Sequence, residues 1–81
     1  QSGQPDWAIN IGRFASRFAA EKMLLRTALS EMATLQGTQR KIIIQRSGYD
    51  ANFVGLTREG ADLACRKLQA RSINCLMIGP G

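Results

Sequence analysis

Two short runs of alternating character constrain this chain more than any other feature. They are Trp7-Ala8-Ile9-Asn10-Ile11-Gly12-Arg13-Phe14 and its weaker echo, Tyr49-Asp50-Ala51-Asn52-Phe53-Val54-Gly55-Leu56. Each ends in a glycine and a large apolar residue, and each leads into a helical pattern. Alternation puts every second side chain on the same face of a strand. Ile9 and Ile11 therefore share one face, with Ala8, Asn10 and Gly12 on the other. In the echo, Ala51 and Phe53 point one way and Asp50, Asn52 and Val54 the other. A repeated strand-plus-helix unit is a signal about the whole fold.

The rest of the chain fills in around these units. Residues 1–6 read as the end of a linker, and 7–81 as one domain. Ser16 is placed to cap a helix from Arg17 to about Leu35, with Ala20, Leu24, Leu25, Ala28, Leu29, Met32 and Leu35 as its apolar face and Gly37 as its stop. Arg40 to Arg46, β-branched at its centre, reads as a second strand. Ser47-Gly48 leaves room only for a hairpin, so the strand starting at Tyr49 runs antiparallel to it. Thr57 caps a second helix from about Arg58 to Ala70, striped by Ala61, Ala64, Cys65 and Leu68, and Ile73 to Ile78 forms the last strand. The order is β-α-β-β-α-β: an α+β, ferredoxin-like (RNP-like) fold. Its four-stranded antiparallel sheet has the first and third strands in the centre, both helices on one face and the other face open.

Composition narrows the function. An 81-residue chain, 44% hydrophobic and 21% charged, suits one small domain and holds no apolar run of membrane-spanning length. The formal charge of +5 favours an anionic partner or serves solubility. Histidine, the commonest general base and metal ligand, is absent. The carboxylates are scattered, and the glycines do not follow a phosphate-loop spacing. We therefore expect a binding module without metal or cofactor. Cys65 and Cys75 do not have zinc-site spacing. Cys65 lies on the sheet-facing stripe of the second helix, and Cys75 faces it if Ile73, Cys75 and Met77 form the core row of the last strand. They are then one disulfide in an oxidising compartment or two buried thiols in a reducing one.

RNA-recognition modules of the same topology stack bases on aromatics of the two central strands. Here the open-face positions are Ala8, Asn10, Gly12, Asp50, Asn52 and Val54, none of them aromatic, so nucleic acid is the alternative partner rather than the first. The carboxamides of Asn10 and Asn52 suit hydroxyls and N-acetyl groups. Arg13 adds charge at the rim, and Ile43 and Val54 offer surface to the apolar face of a sugar. With Gln45 and Asp50 these complete the candidate site. A third reading is a protein-interaction module using the open sheet or the long first helix.

The stretch from Trp7 to Arg17 resembles the opening of the SPOR domain, the sporulation-related repeat of bacterial envelope proteins: an aromatic, an apolar-Gln-apolar-Gly-small-Phe strand, then Ser and a helix. Tyr49 to Leu56 is similar to the second-half version of that pattern. Ala64-Cys65-Arg66-Lys67-Leu68 followed by Ile73-Asn74-Cys75-Leu76 is similar to the Ala-Cys-x-x-Leu…Cys ending of many proteobacterial members. The resemblance implies a periplasmic peptidoglycan-binding module of a Gram-negative envelope. It would recognise glycan strands stripped of stem peptides, with the glycan lying across the open sheet face at sites of division. It also implies a parent protein that is often a cell-wall enzyme, such as a D-alanyl-D-alanine carboxypeptidase. This sequence departs from the family pattern at Asn10, where Gln is usual, and at Arg13, where a small residue is usual. It departs again at Asp50 and Asn52, where Arg is frequent.

Overall fold

The computed structural model describes residues 3–81. Of the expected linker, Gln1 and Ser2 lie outside the described residues, and residues 3–6 are exposed. The elements are β1 (Trp7–Phe14), α1 (Arg17–Ser30), α2 (Met32–Leu35), β2 (Gln39–Gln45), β3 (Gly48–Leu56), α3 (Arg58–Ala70) and β4 (Leu76–Ile78). The four strands form one antiparallel sheet in the order β2-β3-β1-β4, so β1 and β3 are central as the split βαβ order requires. The helices cover one face. Ile9, Ile11, Ala51 and Phe53 from the central strands meet Ala20 and Leu24 of α1 and Ala61, Ala64 and Leu68 of α3 in a single core.

Local chemistry accounts for the helix starts. The Ser16 hydroxyl accepts the Ala19 N–H at 3.1 Å, and the Thr57 hydroxyl accepts the Gly60 N–H at 2.9 Å. The expected continuous helix from Arg17 to Leu35, however, is interrupted at Glu31, whose backbone leaves the helical region (φ −131°, ψ 50°). The Thr27 carbonyl accepts both the Glu31 N–H at 3.0 Å, the last bond of α1, and the Ser30 hydroxyl at 3.0 Å. The Glu31 carboxylate is held by Arg71 and by the Thr34 hydroxyl. Leu35 is buried as expected. Leu25 and Leu29 of α1 itself, and Met32 beyond the break, are exposed with Phe18, because α1 turns Ala20, Leu24 and Thr27 to the core.

The last strand is shorter than the expected Ile73–Ile78. Ser72 adopts φ 62°, and the Ile73 N–H returns to the Leu68 carbonyl at 2.9 Å, wrapping the end of α3. The Gln69 side chain donates to the Cys75 carbonyl at 3.1 Å. These bonds occupy the connection until Leu76, where the ladder with β1 begins. Ile73, Cys75 and Met77 still point to the core, and Cys65 and Cys75 are joined as a disulfide.

Candidate functional site on the open sheet face

The open face is a grid whose rows follow from the strand register, because directly paired residues share a face. One row is Gln39, Val54, Ala8 and Ile78, and the next is Lys41, Asn52, Asn10 and Leu76. A third is Ile43, Asp50 and Arg13. A shallow depression of ≈ 520 Å³ crosses these rows, lined by Asn10, Arg13, Ile43, Gln45, Asp50, Asn52, Leu76 and Ile78. Six of the seven residues expected at the site therefore line one depression. Val54 shares the face but lies in the outer row, between Gln39 and Ala8.

Arg13 reaches this face only because β1 breaks its alternation. Asn10 pairs with Asn52 and Arg13 with Asp50, so Ile11 and Gly12 together oppose the single residue Ala51. This is a β-bulge, and the glycine at φ 139° supplies a conformation that side chains disfavour. Strict alternation would send Arg13 to the core beside Ile11. With the extra residue, Phe14 packs against the core and Arg13 turns out to the sheet surface. The echo in β3 does the same. Gly55, at φ 87°, is the extra residue between Val54 and Leu56, and Leu56 is buried in place of it. Both units thus read Asn, core residue, two residues including a glycine, core residue.

The Asn pair is not arranged as two free amides. Asn10 Oδ1 accepts the Gly12 N–H at 3.0 Å, and Asn10 Nδ2 donates to Asn52 Oδ1 at 2.7 Å. The Asn10 side chain therefore ties the bulge to the neighbouring strand while it lines the depression. Asn52 is 8% exposed, and its Nδ2 has no hydrogen-bond partner among the described residues. That amide is the donor the pair leaves unused.

Arg13 is similarly engaged. Its Nε and Nη2 donate to the two oxygens of Asp50 at 2.7 and 3.1 Å, and its Nη1 donates to the Ser47 hydroxyl at 2.6 Å. The bidentate geometry is the strong form of such a pair. The guanidinium holds the Asp50 carboxyl below the usual carboxylate range, Gln45 adding to the effect. Asp50 in turn raises the Arg13 pKa, chiefly through the hydrogen bond. The two charges offset each other, so Arg13 lines the depression as one half of an ion pair.

Leu76 and Ile78 were not among the expected site residues, yet they form the apolar wall on the β4 side, with Leu76 67% exposed. Their signal was present: if Ile73, Cys75 and Met77 face the core, Leu76 and Ile78 face the other way. Lys41 was not among the expected residues and does not line the depression, but it shares the face. It is exposed and lies directly opposite Asn52. The aromatics of the sheet, Trp7, Phe14, Tyr49 and Phe53, all belong to the core side. The face consequently has no platform for stacking bases among the described residues.

Compared with protein-family models and with curated proteins, the chain matches none. Its fold is similar to that of the solution structure of the peptidoglycan binding domain of the B. subtilis cell wall lytic enzyme CwlC. The TM-score is 0.69 at 12% sequence identity, over 93% of this chain and 89% of that one. At that identity the likeness establishes the shared fold.

Proposed function

We propose that this domain is a non-catalytic peptidoglycan-binding module of the SPOR type, which holds glycan strands across the open sheet face. The observation that carries the proposal is the character of the depression. It has an amide floor at Asn52, apolar walls at Ile43, Leu76 and Ile78, and a corner where Arg13 and Asp50 neutralise each other. Such a surface offers hydrogen bonds to hydroxyl and N-acetyl groups and apolar contact to the C–H faces of sugars. It does not offer a track of free cations to a phosphate backbone. The likeness in fold to a domain described as peptidoglycan-binding supports the same reading.

The disulfide between Cys65 and Cys75 fits an oxidising compartment, and we place the domain outside the cytoplasm, in the periplasm of a Gram-negative envelope. In that setting its role is to bring a parent envelope protein, such as a D-alanyl-D-alanine carboxypeptidase, to the stripped glycan strands of the division septum. The test is co-sedimentation of the purified domain with sacculi before and after amidase treatment. Greater recovery on the treated sacculi is expected, and equal recovery would remove the preference for stripped strands. Leu76→Ala removes exposed apolar wall without touching the core. It should weaken binding about fivefold, the effect of losing contact worth about 1 kcal/mol. Unchanged binding of that variant would move the glycan off this face.

A further inference from the structure

We propose that Lys41 is the residue that distinguishes stripped glycan from peptide-bearing glycan, by pairing with the lactyl carboxylate of muramic acid. The inference rests on the glycan reading above. Removing a stem peptide changes one group on the sugar: the lactyl chain, which ended in an uncharged amide, ends in a carboxylate. A surface that reads the new charge, rather than only the lost bulk of the peptide, needs a cation free to meet it. The register puts two cations on the rows of the open face, Arg13 and Lys41. The three donor nitrogens of Arg13 are occupied by Asp50 and Ser47, and its charge is already balanced. Lys41 is exposed and makes no salt bridge among the described residues. It sits in the row that runs through Asn52, Asn10 and Leu76. A sugar on the Asn52 amide and the Leu76 wall therefore has a lysine on its opposite flank. The ammonium on its flexible stem suits a mobile carboxylate better than a fixed fork would.

The experiment uses this chain and three soluble oligosaccharides of equal length. One is the N-acetylglucosamine/N-acetylmuramic acid repeat with free lactyl carboxylates. The second is the same oligomer with those carboxylates converted to primary amides, and the third is chitin oligosaccharide, which has no lactyl group. Affinities are measured by calorimetry or by chemical-shift titration. The unaltered chain should bind the carboxylate form about fivefold more tightly than the amide form, the upper range of an exposed ion pair. That preference should shrink as salt is raised. Lys41→Gln should bind both forms equally, at the level of the amide form, and Lys41→Arg should keep the preference. Equal binding of the two forms by the unaltered chain, or a preference that survives in Lys41→Gln, would overturn the role of Lys41 and leave glycan binding standing. Failure of the unaltered chain to bind any of the three would overturn the glycan reading itself.

Discussion

At the scale of single residues, the open face is governed by side chains that serve each other before they serve a ligand. Asn10 is the clearest case. Its oxygen holds the N–H of Gly12 and its amide holds Asn52, so its removal orphans a nearly buried oxygen and releases the bulge. Asn10→Ala should destabilise the fold by about 1–3 kcal/mol, the range for a buried polar group left unpaired, measurable as a lower urea midpoint. A loss confined to ligand affinity, with the midpoint unmoved, would contradict this. Gly48 bears on the same corner. It sits at φ 152°, and a Cβ there would lie 2.7 Å from the Phe14 carbonyl oxygen. Gly48→Ala should therefore cost roughly 2 kcal/mol or more and disturb the hairpin end that carries Asp50. The sequence made the outward face of Asn10 and Asn52 legible through simple alternation. It placed Arg13 at the rim without the reason for it. Counting by twos sends Arg13 to the core, and only the bulge brings it to this face. The available warning was a glycine inside a strand pattern.

At the scale of elements, the joints carry the interest. The break at Glu31 divides what the periodicity reads as one helix, and the released carboxylate reaches across to Arg71 just past the end of α3. Periodicity reports which residues are apolar, not where a glutamate side chain finds partners such as Arg71 and Thr34. Leu25 and Leu29, within α1, lie at the surface for another reason: the apolar stripe is wider than the face that Ala20, Leu24 and Thr27 turn to the core. Likewise the late start of β4 follows from the wrapped end of α3 at Ser72, a conformation that the side-chain pattern of Ile73 to Ile78 does not encode. The Glu31–Arg71 tie has a consequence for pH. The carboxyls of Glu31 and Asp50 are both held below their ordinary values, chiefly by hydrogen bonds from Arg71 and Arg13. A carboxyl depressed in the folded state contributes stability above its unfolded pKa, near 4, and loses it as pH falls through the folded value. With no histidine to titrate between pH 5 and 8, the urea midpoint should stay level there and drop below about pH 4. Glu31→Gln and Asp50→Asn should each lower the midpoint at pH 7 and flatten the acid decline. A variant that follows the parent's acid limb unchanged would clear that carboxyl of any part in it.

At the scale of the whole molecule, the sheet has one long edge and one very short one, and the short edge is where the core and the groove meet. β4 has three residues in the ladder, alternating between the core side through Met77 and the groove wall through Leu76 and Ile78. Three residues of pairing at a sheet edge are a weak attachment, and a domain this small has little surplus core to reinforce it. The link from Cys65 on α3 to Cys75 immediately before the strand makes good that weakness. Closing a loop between cysteines ten positions apart restricts the unfolded chain by about 3 kcal/mol on the chain-entropy account. Reduction, or the double variant Cys65→Ala/Cys75→Ala, should therefore lower the unfolding free energy by about that amount. The same treatment bears on function, because loosening β4 loosens the wall formed by Leu76 and Ile78. At a temperature where the reduced chain is still folded, glycan affinity should fall while the Arg13–Asp50 corner, held by β1 and β3, keeps its geometry. The two effects are separable by following β4 amide exchange alongside binding. Faster exchange confined to residues 73–78, with weaker binding, would trace the loss to the wall. A reduced chain that binds as before would show that the three-residue ladder holds the wall without the covalent link.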